Sequence, residues 1–171
     1  LQAAIGAGDG ELAGVMLVAA MGAIAAMRFA PWLDSRLGRY GVAALCAVAL
    51  LAFQLPGLMS SWTGLTIAMF LCAASTASLD VVMNAHLSQI EAREGHPLMS
   101  FHHAMFSFGY AIAAFCTGVI REFGGGAVIS FSIIGVLGLL LLPSMVLAEV
   151  KKQNQPNILF VLVAGMMVTT V

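Results

Sequence analysis

The strongest constraint in this sequence is a succession of apolar runs, each long enough to cross a lipid bilayer and each followed by a short polar gap. A bilayer-spanning helix needs about 17 to 25 predominantly apolar residues. Runs of that kind fall at Leu12–Leu33, Gly41–Met59, Trp62–His86, Leu98–Ile120 and Ala127–Ala148, and a sixth begins near Ile158. The chain is 61% hydrophobic and 9% charged, with a mean hydropathy of +1.00. Soluble domains carry about 25% charged residues, so this chain lacks the polar surface to cover a water-soluble globule. A membrane β-barrel would alternate with period two over segments of about 10 residues. Stretches such as VLGLLLLPSMVLA do not alternate. The expected fold is all-α, a polytopic transmembrane helix bundle.

Almost every charge lies in a gap or near one, and the distribution suggests an orientation. With the first helix running outside to inside, the inner segments hold Arg28, Arg36, Arg39, Arg93, Lys151 and Lys152, and the outer ones only Arg121. This is a positive-inside bias. It places the first loop, with Asp9 and Glu11, outside and the linker at 149–157 (EVKKQNQPN) inside. The domain organisation expected is 1–148 for five helices, 149–157 for a cytoplasmic linker, and 158–171 for the start of a further helix. A start just before one helix and a stop inside another read as a fragment of a longer polypeptide. The net charge of −1 gives no signal for nucleic acid, and none is expected as a partner. Cys46, Cys72 and Cys116 sit singly within apolar runs, without metal-ligand or disulfide spacing, and read as small packing residues.

Small residues suggest where helices touch. Ala73 to Ser78 is an unbroken run of them, and Gly14, Gly22, Gly109 and Gly118 punctuate two other helices. In lipid, small side chains let helix backbones approach closely.

One charge breaks the pattern. Asp80 continues a segment that begins at Trp62 without another charged residue. A carboxylate at the centre of a spanning helix costs roughly 2.5–3.5 kcal/mol on insertion scales, so such groups are usually paired or functional. Asn84 lies four residues on, hence on the same helical face. On the next helix Ser100, His103 and Ser107 are spaced three and four apart. Two polar stripes on consecutive helices suit a water-filled cavity better than lipid. The expected proton-coupling residues are Asp80 and His103, and the expected substrate-binding residues are Asn84, His103 and Ser107. The structural alternative is an inner-surface pair between Asp80 and Arg36 or Arg39, because Asp80 lies about 27 Å along the helix from Trp62. His102 points some 100° away from His103, and His86 and His96 flank the inner loop and read as solvated.

The second constellation is Pro31-Trp32-Leu33-Asp34-Ser35-Arg36-Leu37-Gly38-Arg39-Tyr40. Gly38 permits a sharp turn, and the arginines can bind carboxylates or carbonyls at helix ends. Asp34, Arg36, Gly38 and Arg39 are thus expected to form a conformational loop that latches the bundle.

This segment resembles the loop between the second and third helices of the Major Facilitator Superfamily, whose pattern is Gly-x-Leu-x-Asp-Arg-x-Gly-Arg-Arg. Leu33, Arg36, Gly38 and Arg39 match it. Pro31 replaces the first glycine, Ser35 the aspartate and Tyr40 the last basic residue. The stretch from Leu79 to Gly109 resembles the fourth and fifth helices of the fucose-permease-like branch. There an acidic residue is followed four positions later by asparagine, as with Asp80 and Asn84, and a polar residue stands six before a glycine, as His103 does before Gly109. The resemblance implies helices two to six and the start of helix seven of a partial superfamily fold, with the C-terminal half of the same polypeptide absent. It implies an inner-membrane secondary transporter of a small polar solute, by alternating access and proton symport, whose partners are the lipid bilayer, the solute and protons. No cofactor, metal or enzymatic activity is expected. The other classes considered are a non-transporting membrane sensor or assembly protein and a histidine-ligated membrane redox protein.

Overall fold

Five long helices account for almost all of residues 8–151, the part of the chain described by the computed structural model. They are α1 (Asp9–Leu37), α2 (Gly41–Leu58), α3 (Trp62–Glu94), α4 (Leu98–Glu122) and α5 (Ala127–Lys151), with one 3-10 turn, Gly38–Tyr40, between α1 and α2. No strand occurs among the described residues. The fold is an all-α bundle. Four of its helices, α1 to α4, are long and apolar enough to cross a membrane.

Each of the five apolar runs among the described residues is a helix, and most of their C-terminal ends lie further along than expected. Helix α1 continues through Pro31 to Leu37. Proline removes one backbone hydrogen bond from the helix interior, a loss that spanning helices tolerate where neighbours satisfy the freed groups. Helix α3 continues through Glu91, Ala92 and Arg93 to Glu94, eight residues past its expected end at His86. Its last turns are rich in strong helix formers. It stops at Gly95, whose φ of 70° is left-handed and whose N–H returns to the Glu91 carbonyl. This is the usual glycine termination. Helix α5 runs on through Lys151, three residues into the expected linker. The rest of that linker and the further helix expected from Ile158 lie outside the described residues.

Three contacts fix α1 and α3 side by side and running the same way. Trp62 Nε1 donates to the Glu11 carbonyl at 3.3 Å at one end. At mid-length a Cβ on Gly22 would come within 2.8 Å of both the Phe70 ring and its carbonyl oxygen. At the other end Asp34 meets His86. The small-residue run lies within this packing: Ser75, Thr76, Ala77 and Ser78 are all buried. Their hydroxyls bond back to carbonyls of their own helix, with Ser75 and Thr76 reaching Cys72 and Ser78 reaching Ala74, each at 2.9 Å. The polar atoms are thereby satisfied without separating the helices. Of the other glycines expected at contacts, Gly109 is buried, Gly14 faces Trp62 at 3.9 Å, and Gly118 has open space around it.

Helix α2 closes the core. Leu79 and Val82 of α3 pack with Ala30 of α1 and with Val42, Leu45, Cys46, Ala49 and Leu50 of α2. Its far side carries α5 through an edge-to-face pair, Phe53 on Phe131, with centroids 4.9 Å apart. Helix α4 is held loosely by comparison, and of its side chains only His102, Gly109 and Ala113 are buried. Large apolar side chains such as Leu17 and Ile24 of α1 and Phe115 of α4 point outward, as they would into hydrocarbon. Cys46 and Cys72 are buried and Cys116 is exposed.

Candidate functional site

The site is built on one face of α3. Asp80, Asn84 and Glu91 are separated by four and seven residues, so they fall along a single helical stripe. Glu91 shows which neighbour the stripe faces: its Oε2 accepts the Met99 N–H, in the first turn of α4, at 2.7 Å. The first four N–H groups of any helix lack intrahelical partners, and this carboxylate supplies one from across the loop. The positive end of the α4 dipole favours the same charge.

Asp80 is partly buried near the middle of α3. It lies about 27 Å from the Trp62 end and about 21 Å from Glu94 at 1.5 Å per residue. The extension of α3 to Glu94 is what moves it away from the helix end. It forms no hydrogen bond or ion pair with any described side chain. Arg36, one of the two partners considered for it, instead lies over the Trp32 ring, 5.5 Å from the centroid.

One turn further on, Asn84 presents a buried Oδ1 with no hydrogen-bond partner. On α4, His102 is 2% exposed, and neither ring nitrogen has a partner among the described residues. Asp80 and His103 both lie within electrostatic reach of it. A buried unpaired polar group forfeits about 1–3 kcal/mol, and Asn84 and His102 hold three such atoms between them. Buried polar groups in native folds are nearly always hydrogen-bonded, so these atoms stand out as candidates for a functional role.

The residues expected on α4 sit differently. His103 and Ser107 are exposed, as is Ser100. Ser107 Oγ donates to the His103 carbonyl at 2.9 Å, within the helix. That stripe is exposed, and the buried histidine of α4, within electrostatic reach of Asp80, is His102. The buried residues of α4, His102, Gly109 and Ala113, share one helical face, and His103 is rotated 100° from that line.

The expected conformational loop is also rearranged. Asp34 lies in the last turns of α1, and its Oδ2 is 2.8 Å from His86 Nε2 on α3. His86, read as solvated, is therefore half-buried in a cross-helix link that the sequence did not suggest. Gly38 takes φ 56° and ψ −132° and donates its N–H to the Asp34 carbonyl. Gly41 is pressed against the same aspartate, and a Cβ there would overlap Asp34 Oδ1. The Arg39 side chain lies outside the described part. Arg28, counted with the inner loops, lies inside α1 on an exposed face.

Among the described residues no group of three or more His, Cys, Asp or Glu side chains is placed to hold a metal ion. A cleft of about 190 Å³ between α2 and α5, lined by Leu50, Leu51, Gln54, Ser132, Gly135, Val136 and Leu139, is mostly apolar and separate from the Asp80 seam.

No protein-family model matches the sequence, and no solved structure matches it. Among curated proteins the chain is similar to one from Sinorhizobium fredii named as an uncharacterized transporter, y4wD. The two are 33% identical over 101 residues, which is 58% of this chain and 27% of the relative. The match thus spans about a quarter of the relative's length.

Proposed function

We propose that this chain forms part of a secondary membrane transporter for a small polar solute, of the alternating-access kind found in the Major Facilitator Superfamily. The observation that carries the reading is the Asp80 seam. A carboxyl group near the middle of a spanning helix has no ion pair with any described side chain, and unpaired polar atoms of Asn84 and His102 lie beside it. The likeness to a protein named as a transporter points the same way. So does the resemblance of Leu79–Gly109 to the fourth and fifth helices of the fucose-permease-like branch.

In this mechanism Asp80 takes up a proton from one side, which removes a charge that would otherwise have to be carried through a low-dielectric region. Solute binds beside it, with Asn84 Oδ1 accepting a hydrogen bond. Rocking of two half-bundles then opens the site to the other side. The proton and solute leave together. Asp34 and His86, tying the ends of α1 and α3, hold two helices of one half together through that motion. The inner-membrane location and the cytoplasmic side of the linker at 149–157 belong to the same proposal.

The test is transport by the complete gene product in lipid vesicles, presented with a mixed metabolite extract and an inward pH gradient. Mass spectrometry of the vesicle contents should show at least one small polar solute enriched over protein-free vesicles, with the enrichment lost when the gradient is collapsed. Entry of nothing from the extract would favour a non-transporting sensor or assembly protein instead.

A further inference from the structure

We propose that His102 is the proton-exchange partner of Asp80, and that the α3–α4 seam from Asp80 past Asn84 and His102 to Glu91 is the path by which that proton reaches one end of the bundle. This rests on the reading of Asp80 as a proton-binding carboxyl and adds the residue that loads and unloads it.

The geometry of α4 makes the case. A helix packed on one side by a single narrow stripe normally fills that stripe with apolar or small residues. Here two of the three buried positions, Gly109 and Ala113, obey that rule and the third is a histidine. The imidazole is almost wholly enclosed, and neither Nδ1 nor Nε2 finds a partner among the described residues. A neutral imidazole offers one donor and one acceptor, and a ring that must repeatedly receive a proton on one nitrogen and release it from the other needs both left unoccupied. A merely structural histidine would have at least one nitrogen tied to a backbone carbonyl or a neighbouring hydroxyl.

The surroundings supply a route and few competitors. On α3 the acidic groups of the seam are Asp80, within electrostatic reach of the ring, and Glu91, held at the first turn of α4. On α4 itself His103 lies edge-on, with ring centroids 5.7 Å apart. The described side chains of α5 include no titratable group. His102 is the fifth residue of α4, about one turn in from the Met99 N–H that Glu91 caps. It therefore stands between the mid-helix carboxyl and the bundle end.

The exchange balances simply. Protonated Asp80 gives its proton to a ring nitrogen of neutral His102, leaving carboxylate and imidazolium. The second ring N–H then passes a proton toward Glu91 and the aqueous mouth, and the imidazole is neutral again. No redox change and no other reactant is involved. His102 acts on the carboxyl and not on the solute, so it is a positioning and relay residue.

The experiment is infrared titration of the protonated-carboxyl band in the complete gene product, reconstituted in lipid, with ¹⁵N-histidine spectra of the same sample. Asp80→Asn identifies the band. In the unsubstituted protein the His102 nitrogens should change with the same midpoint as the Asp80 band. In both His102→Gln and His102→Leu that midpoint should move by about one pH unit or more, the mark of coupled sites, while His103→Gln leaves it in place. A His102 signal that is flat or titrates independently of Asp80 overturns the proposal without any variant having to fold. An unmoved band in the His102 variants overturns it as well, with the carboxyl reading intact. If Asp80→Asn removes no titrating band, the underlying reading of Asp80 is what fails.

Discussion

Asp34 Oδ2 and His86 Nε2 are 2.8 Å apart, joining the last turns of α1 to α3 across 52 positions of sequence. Both side chains are partly shielded, with 23% and 33% of their surface exposed, so the link is screened less than a surface ion pair. Removing His86 leaves the Asp34 carboxylate without its partner, its Oδ1 being already buried and unbonded. A double-mutant cycle with Asp34→Asn and His86→Gln should give a coupling free energy of about 1 kcal/mol, at the upper end for exposed pairs. Thermal unfolding of the detergent-solubilised protein measures it. Additive effects of the two substitutions would show that the pair contributes nothing.

The turn beneath that link depends on two glycines for different reasons. Gly38 has a positive φ, which costs a side-chain-bearing residue roughly 1–3 kcal/mol, so Gly38→Ala should destabilise by that order. Gly41 has an ordinary φ of −54°, but a methyl group there would overlap the Asp34 carboxylate. Gly41→Ala should therefore weaken the Asp34–His86 coupling in the same cycle. Gly38→Ala acts through the backbone and should leave more of that coupling in place. Equal losses of coupling in both variants would contradict this division.

Close packing of α1 on α3 can be tested at Gly22. A Cβ there would approach the Phe70 carbonyl, which is backbone and cannot swing aside. Overpacking of this kind costs about 1–3 kcal/mol, so Gly22→Ala should lower the melting temperature by several degrees. Gly118→Ala, with nothing within 4 Å of the added methyl, should be neutral or slightly stabilising. If both substitutions behave alike, the helices are not held as closely as described.

Glu91 should stabilise α4 through its bond to the Met99 N–H. Losing an N-terminal cap costs about 1 kcal/mol. Glu91→Ala should accordingly speed amide exchange in the first turn of α4, and Glu91→Gln, which keeps the acceptor, should restore much of the protection. Unchanged exchange at Met99 in Glu91→Ala would remove the cap from the account.

How far the sequence discloses this arrangement depends on the range of the interaction. Helix existence is legible because a spanning run must be apolar throughout, whatever packs against it. Helix ends are less so: Pro31 and the charges from Glu91 to Glu94 looked like loop, yet neighbouring packing and strong helix formers carried α1 and α3 onward. The link between Asp34 and His86 has no local signature, since nothing in either segment reveals which helices run side by side. The choice between His102 and His103 was partly readable. His102, Gly109 and Ala113 repeat at seven and four, the spacing of one helical face, whereas the polar spacing of Ser100, His103 and Ser107 drew attention to a face that is exposed. Asp80 and Asn84 were visible because a carboxylate inside an apolar run is conspicuous before any fold is known.

The most direct measurement is pH-gradient-driven solute accumulation by vesicles containing the complete gene product with Asp80→Asn, beside the unsubstituted protein. The account requires that uphill uptake fall to the level of protein-free vesicles while solute-for-solute exchange continues, because the binding groups remain and only the proton carrier is gone. Uphill uptake at the unsubstituted rate would contradict it.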